Sequence, residues 1–176
     1  PLMLIFLRLI IDIMNNSSQE KIFQEALKYH QDGKLEEALN LYQKILKKNF
    51  NFAAIHNNIG LINSEYNRNG LALKNFLNAI DIDKNFVEAH NNLGILYEKL
   101  GHFDKAIHHC LKAIKLNPFF SKAYNNLGSA LDEIGQKKKA IKSFKKSIEL
   151  DPNSVEAYNN LGSVYRYSHD YQNAIK

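Results

Sequence analysis

The sequence predicts an all-α fold, an α-solenoid assembled from 34-residue helix–turn–helix units. Three observations carry this. The segments His56-Asn57-Asn58-Ile59-Gly60, His90-Asn91-Asn92-Leu93-Gly94, Tyr124-Asn125-Asn126-Leu127-Gly128 and Tyr158-Asn159-Asn160-Leu161-Gly162 recur every 34 residues. A column of alanines, Ala38, Ala72, Ala106, Ala140 and Ala174, follows in the same register. Glycines and prolines punctuate the chain between these landmarks. Self-similarity at such a period marks a stacked array, in which a hairpin too small to bury its own apolar stripe is completed by its neighbours. The register gives units at 19–52, 53–86, 87–120 and 121–154, and an incomplete one at 155–176.

Within a unit, the first helix carries an aromatic residue or His, then Leu or Ile three residues on, then Gly, all on one helical face. A turn follows at Gly33, Gly101 and Gly135, where a residue without Cβ can adopt a left-handed conformation and end the helix. The second helix opens near a polar residue and carries the alanine column. Tyr42, Phe76, Cys110 and Phe144 stand four residues after those alanines, with Ile45, Ala79, Ala113 and Ser147 three further on. Pro118 and Pro152 close two of these helices. Gly60, Gly94, Gly128 and Gly162, with Ala26 in the first unit, let paired helices approach closely, and the aromatics fill the space between neighbours.

These columns resemble the tetratricopeptide repeat family over about residues 19–176, roughly nine-tenths of the chain. The resemblance implies a right-handed α-solenoid with first helices lining a concave face and second helices forming the outer wall. It also implies a protein or peptide partner. The departures are local. Asn67 replaces the turn glycine of the second unit, Lys84 its terminal proline, and Phe50 stands at that place in the first unit.

Residues of the first helices not used in packing are expected to face the groove. Asn58, Asn92, Asn126 and Asn160 form one such column, each preceded by Asn57, Asn91, Asn125 or Asn159. Asparagine fills about one position in eight overall, so eight of eight is far from composition, although copied repeats are not independent. A carboxamide offers both donor and acceptor and can pair with the backbone of an extended peptide whatever its sequence. With helices about 8–10 Å apart and a strand rising roughly 3.3 Å per residue, one Asn meets about every third peptide residue. At about 1 kcal/mol per contact, against about 8 kcal/mol for micromolar binding, the ladder sets register while other contacts supply affinity. The column resembles the asparagine ladder in the repeat arm of O-GlcNAc transferase. The competing reading makes these residues helix caps, inter-helix hydrogen bonds or solvated surface. Further groove candidates vary between units: Leu27, Leu61, Ile95, Ser129 and Ser163 in one column, and His30, Ser64, Glu98, Asp132 and Arg166 in another.

No catalytic or cofactor motif is expected. The chain has no phosphate-cradling glycine loop, nucleophile elbow or zinc-protease helix. His108, His109 and Cys110 are consecutive, so on a helix they point about 100° apart and cannot chelate one ion; Cys110 falls in the packing column. With Cys110 alone there is no intrachain disulfide or thiolate cluster, which points to a reducing cytoplasm. The formal charge of +5 comes almost wholly from Lys, spread in a way that reads as solubility rather than nucleic-acid binding. Lys137, Lys138, Lys139, Lys142, Lys145 and Lys146 gather on one second helix as a solvated face, with an acidic partner or a membrane surface as the lesser reading.

Residues 1–18 precede the register. Pro1 is not an initiator, and Leu2 to Met14 is an apolar run broken by Arg8 and Asp12. It is too short and too charged to span a bilayer, and it lacks the leader and cleavage site of a signal peptide. Translation from Met14, with a capping stretch of Asn15 to Ser18, is one reading; an apolar helix over the first unit and a membrane anchor are the others. The expected function is a non-catalytic scaffold holding extended peptides. A substrate-recruiting arm of a larger transferase is the alternative, and self-association through the incomplete last unit is a third.

Overall fold

The computed structural model describes residues 18–48 and 52–167. Helix α1 runs through residues 18–31. It is followed by α2 (Leu35–Leu46), α3 (Ala53–Glu65), α4 (Asn69–Ile82) and α5 (Val87–Lys99). Then come α6 (Phe103–Leu116), α7 (Ser121–Glu133), α8 (Lys137–Leu150) and α9 (Val155–Tyr167). Among the described residues there is no strand. The apolar run before Met14, Phe50, Ala174 and the second helix expected after α9 all lie outside the described residues.

The expected alternation of first and second helices is present, and local chemistry explains each joint. Within a hairpin, the residue after the helix is left-handed: φ is 73° at Gly33, 73° at Gly101 and 74° at Gly135. Its amide bonds the carbonyl three residues back, and the next amide bonds the carbonyl five back, as in Gly101 N–H to Glu98 and His102 N–H to Tyr97, both 2.8 Å. These two bonds satisfy carbonyls that a helix end leaves unpaired. Asn67 makes the same turn at φ 56°, with Asn67 N–H to Ser64 at 3.1 Å and Arg68 N–H to Asn63 at 2.8 Å. Asn is the side-chain-bearing residue best suited to that conformation, so the missing glycine leaves the turn intact.

Between units a side-chain device takes over. Asp83, Asn117 and Asp151 accept from the amide two residues on, at 2.9, 3.0 and 3.2 Å. Such a turn forms with or without a proline at its second position. That is why Lys84 serves where the other two joints carry Pro118 and Pro152.

Packing follows the size columns. Ala26, Ala38, Ala72, Ala106 and Ala140 are fully buried. A Cβ placed on Gly60, Gly94 or Gly128 would lie 2.6 Å from the Phe76 ring, the Cys110 sulfur or the Phe144 ring. Each of these pairs joins the two helices of one unit. Phe76 also packs with Leu93 and Leu96 of the next unit, and Phe144 with Val164. One aromatic side chain therefore ties its own hairpin to its neighbour.

First helices of successive units touch one another: α3 with α5, α5 with α7, α7 with α9. Second helices of successive units, α4, α6 and α8, do not. The stack therefore curves, with first helices on its inner side and second helices fanned outside.

Gly128→Val is expected to lower stability by about 3 kcal/mol, because the Phe144 ring leaves no room for branching at Cβ. Gly70→Ala, where an added Cβ meets nothing within 4 Å, is expected to be neutral or to stabilise by up to about 1 kcal/mol. Urea unfolding followed by circular dichroism measures both.

Candidate functional site

The inner face is built from α3, α5, α7 and α9, and the asparagine columns divide there by depth. Asn57, Asn91 and Asn125 are buried, whereas Asn58, Asn92, Asn126 and Asn160 are half-buried and Asn159 is exposed. The columns are joined across repeats. Asn92 Nδ2 donates to Asn57 Oδ1 at 2.9 Å, Asn126 Nδ2 to Asn91 Oδ1 at 2.8 Å, and Asn160 Nδ2 to Asn125 Oδ1 at 3.1 Å. The equivalent of Asn57 in the first unit is Phe23, which cannot accept; there Asn58 Nδ2 donates to the Tyr42 hydroxyl at 3.2 Å. Burial raises the Tyr42 phenol above its ordinary value, against a smaller opposing effect of the Asn58 bond.

The asparagines are thus a hydrogen-bonded seam between units. Each half-buried member spends one N–H on the seam, leaving its carbonyl oxygen and second N–H without a partner among the described residues. A carboxamide so held is oriented by one bond and keeps a donor and an acceptor at the inner surface.

Beside the seam the inner face opens into a cleft of about 560 Å³ lined by Ile95, Glu98, Asn126, Ser129, Glu133 and Glu156. Ser129 Oγ donates to Glu98 Oε1 at 2.6 Å. Burial pushes the Glu98 carboxyl above its ordinary value; the Ser129 bond opposes this, while Glu133 and Glu156 add to it by repulsion. Lys99 also lines the cleft, but its ammonium is engaged by Asn67 Oδ1 at 2.7 Å. Toward the N-terminal end, His30 Nε2 stands 4.0 Å from Glu65 Oε1. In a chain of positive net charge, this part of the inner face is acidic.

The residues that looked like metal ligands go separate ways. Cys110 is fully buried beneath Gly94, and burial followed by the Glu98 charge pushes its thiol up to about 12. His109 turns to the first helix of its own unit and lies between two rings, 5.4 Å from His90 and 5.5 Å from Tyr97. His90 Nε2 is 3.2 Å from the Lys84 carbonyl, which can only accept, and the His90 and His109 Nδ1 atoms are 3.1 Å apart. The consistent assignment has His90 donating from Nε2 and accepting at Nδ1 from His109, both rings neutral. Among the described residues no group of three His, Cys, Asp or Glu could hold a metal ion, and no helix is long and apolar enough to cross a membrane.

Sequence reasoning overlooked this three-ring stack and the sign of the cleft. The first had a signal in the 34-residue register, which pairs His90 with His109 as it pairs His56 with Asn75, whose Nδ1 and Oδ1 atoms are 3.3 Å apart. The second had Glu98 in view as a groove candidate, but Glu133 and Glu156 come from different helices and meet only when the repeats stack.

Tetratricopeptide repeat models match residues 87–120, 121–154 and 143–176, and a TPR repeat model matches 65–101; together they span 65–176, nearly two-thirds of the chain. The chain belongs to the tetratricopeptide repeat family. Its fold is that family's solenoid. A crystal structure of MamA is similar over 85% of this chain and 88% of that one, at 25% identity and a TM-score of 0.73. PilF of Pseudomonas aeruginosa shares the fold over 90% and 72%, at 22% identity and a TM-score of 0.82. The first tetratricopeptide domain of Spaghetti (RPAP3), in a structure bound to the HSP90 peptide SRMEEVD, is similar over 66% and 95%, at 25% identity and a TM-score of 0.64. No curated protein sequence matches the chain significantly.

Burial, with smaller contributions from His90 and His108, lowers His109 from 6.5 to about 4. Between those values the unfolded chain binds more protons than the folded one, so stability is full above about pH 6.5 and falls as pH drops toward 4. His90 and His30 are also lowered, chiefly by burial, and act in the same direction. Urea midpoints measured from pH 7 to 4.5 are expected to fall more steeply for the natural chain than for His109→Gln.

Proposed function

We propose that this tetratricopeptide array is a protein-interaction scaffold whose concave face holds an extended segment of a partner. Asn58, Asn92, Asn126 and Asn160 contact the partner backbone; the Tyr42 hydroxyl orients Asn58, and the buried Asn57, Asn91 and Asn125 orient the other three from below, with Asn159 continuing the column. The observation that carries this reading is the cleft beside the seam, where the unpaired valences of Asn126 stand next to Ser129 and three carboxylates. The family and the peptide-bound neighbour support the general role.

The partner segment carries Lys or Arg where it crosses the cleft. Glu98, Glu133 and Glu156 line that space, and Glu98 is partly desolvated, so a cation there relieves mutual repulsion while a carboxylate adds to it. The peptide SRMEEVD has three carboxylate side chains against one Arg, so charge makes it a poor ligand for this groove.

Fluorescence anisotropy with nine-residue extended peptides tests this. Peptides with central Lys or Arg are expected to bind, and Asn126→Ala and Glu133→Gln each to weaken them about five-fold, equivalent to about 1 kcal/mol. A single cooperative melting transition would show that the array stays folded in each variant, including Asn126→Ala, which loses the bond to Asn91. Equal binding of SRMEEVD, or affinity indifferent to both substitutions, would sink the proposal.

A further inference from the structure

A second opening lies on the opposite side of the array, in the outer wall between α6 and α8. It encloses about 690 Å³, its floor formed by Ile114, Leu127 and Ile141, with the half-exposed Leu111 at its edge. We propose that this groove is a docking site for an acidic amphipathic segment of a protein partner, distinct from the concave face.

The opening coincides with the loss of the three-ring stack, most plainly in the column of His109. In the third unit that column holds His109, whose ring fills the space against His90 and Tyr97. In the second unit it holds Asn75, which reaches His56. In the fourth it holds Ser143, too short to reach across, with Tyr124 and Leu131 at the places of His90 and Tyr97. The cavity is lined by Ser143 and Tyr124, where the preceding repeat has a stacked pair.

The rim has changed along with the floor. Lys138, Lys142, Lys145 and Lys146 line the α8 edge of this groove, where the preceding unit has Asp104, His108, Leu111 and Lys112 in register. Lys146 is paired with Glu149 at 2.6 Å, and the Lys145 ammonium lies 5.8 Å from the centroid of the Tyr165 ring. Lys138 and Lys142 have no carboxylate within ion-pair distance among the described residues. An apolar floor of this volume accepts a few side chains, and the cationic α8 edge selects for carboxylates along that side of them. That is the pattern of a helix laid in a groove, apolar on one face and acidic along the flank that meets α8. The lysines border a concavity between two units, with an apolar floor beside them rather than a flat basic surface, which favours a protein segment over a bilayer.

The test uses the full chain and fluorescein-labelled 16-residue peptides designed as amphipathic helices, with Leu or Phe on one face and Glu on the other. A matching set carries Lys in place of Glu, and vesicles of phosphatidylcholine and phosphatidylserine are the third probe. The acidic set is expected to bind, at least ten-fold more weakly to Ser143→His and to Lys138→Glu/Lys142→Glu, and equally well to Glu98→Gln. His109 already occupies the equivalent place in the third unit, so Ser143→His is compatible with the fold, and a melting curve verifies it; Lys138 and Lys142 are exposed. Three results would overturn the proposal: no acidic peptide binds, binding is indifferent to both variants, or the chain sediments with anionic vesicles in a manner that Ser143→His abolishes.

Discussion

Everything in this array rests on how closely two helices of a hairpin can approach. At Gly60 and Gly128 the backbone of the first helix lies against an aromatic ring of the second, and at Gly94 against the Cys110 sulfur, with no room for a side chain. That contact places the fully buried alanines of the second helix against the first. It also leaves Phe76 and Phe144 free to reach the next unit, so the same residue that closes one hairpin begins the interface with its neighbour. Because such packing has little slack, overfilling it cannot be absorbed locally. The inner face inherits its spacing from this contact, and with it the spacing of the asparagines.

Much of the fold was legible because it depends on residue size repeated at one period. The helices α3 to α9, the turn glycines and the buried alanine column could be read directly. The two irregular joints were legible only as irregularities. Asn67 and Lys84 break the pattern, yet the left-handed tolerance of Asn and the side-chain acceptor of Asp83 restore the same geometry. A column-by-column comparison sees the missing residue but not the neighbour that replaces its function.

The inner face was legible in its positions and less so in its chemistry. The asparagine columns stood out, but their pairing runs from the second Asn of one unit to the first Asn of the unit before, 35 residues apart. Which carboxamides are buried depends on this offset contact between units, and no single unit contains it. The acidic cleft is likewise a property of the stack, since Glu98, Glu133 and Glu156 come from α5, α7 and α9. The His90–His109–Tyr97 stack shows a third limit: His in a repeated column reads as a stand-in for an aromatic ring, and its hydrogen bonds appear only when both partners are placed.

The seam of asparagines has a mechanical meaning. Successive units are joined by hydrogen bonds along the inner side, while the second helices of neighbouring units stand apart on the outside. The array is therefore built like a fan, pivoting on its inner edge and opening at its outer one. Changes in curvature alter the outer gaps first and the carboxamide spacing least. Anything wedged between α6 and α8 acts at the long end of that lever, and so bears on the pitch at which the inner face presents its asparagines.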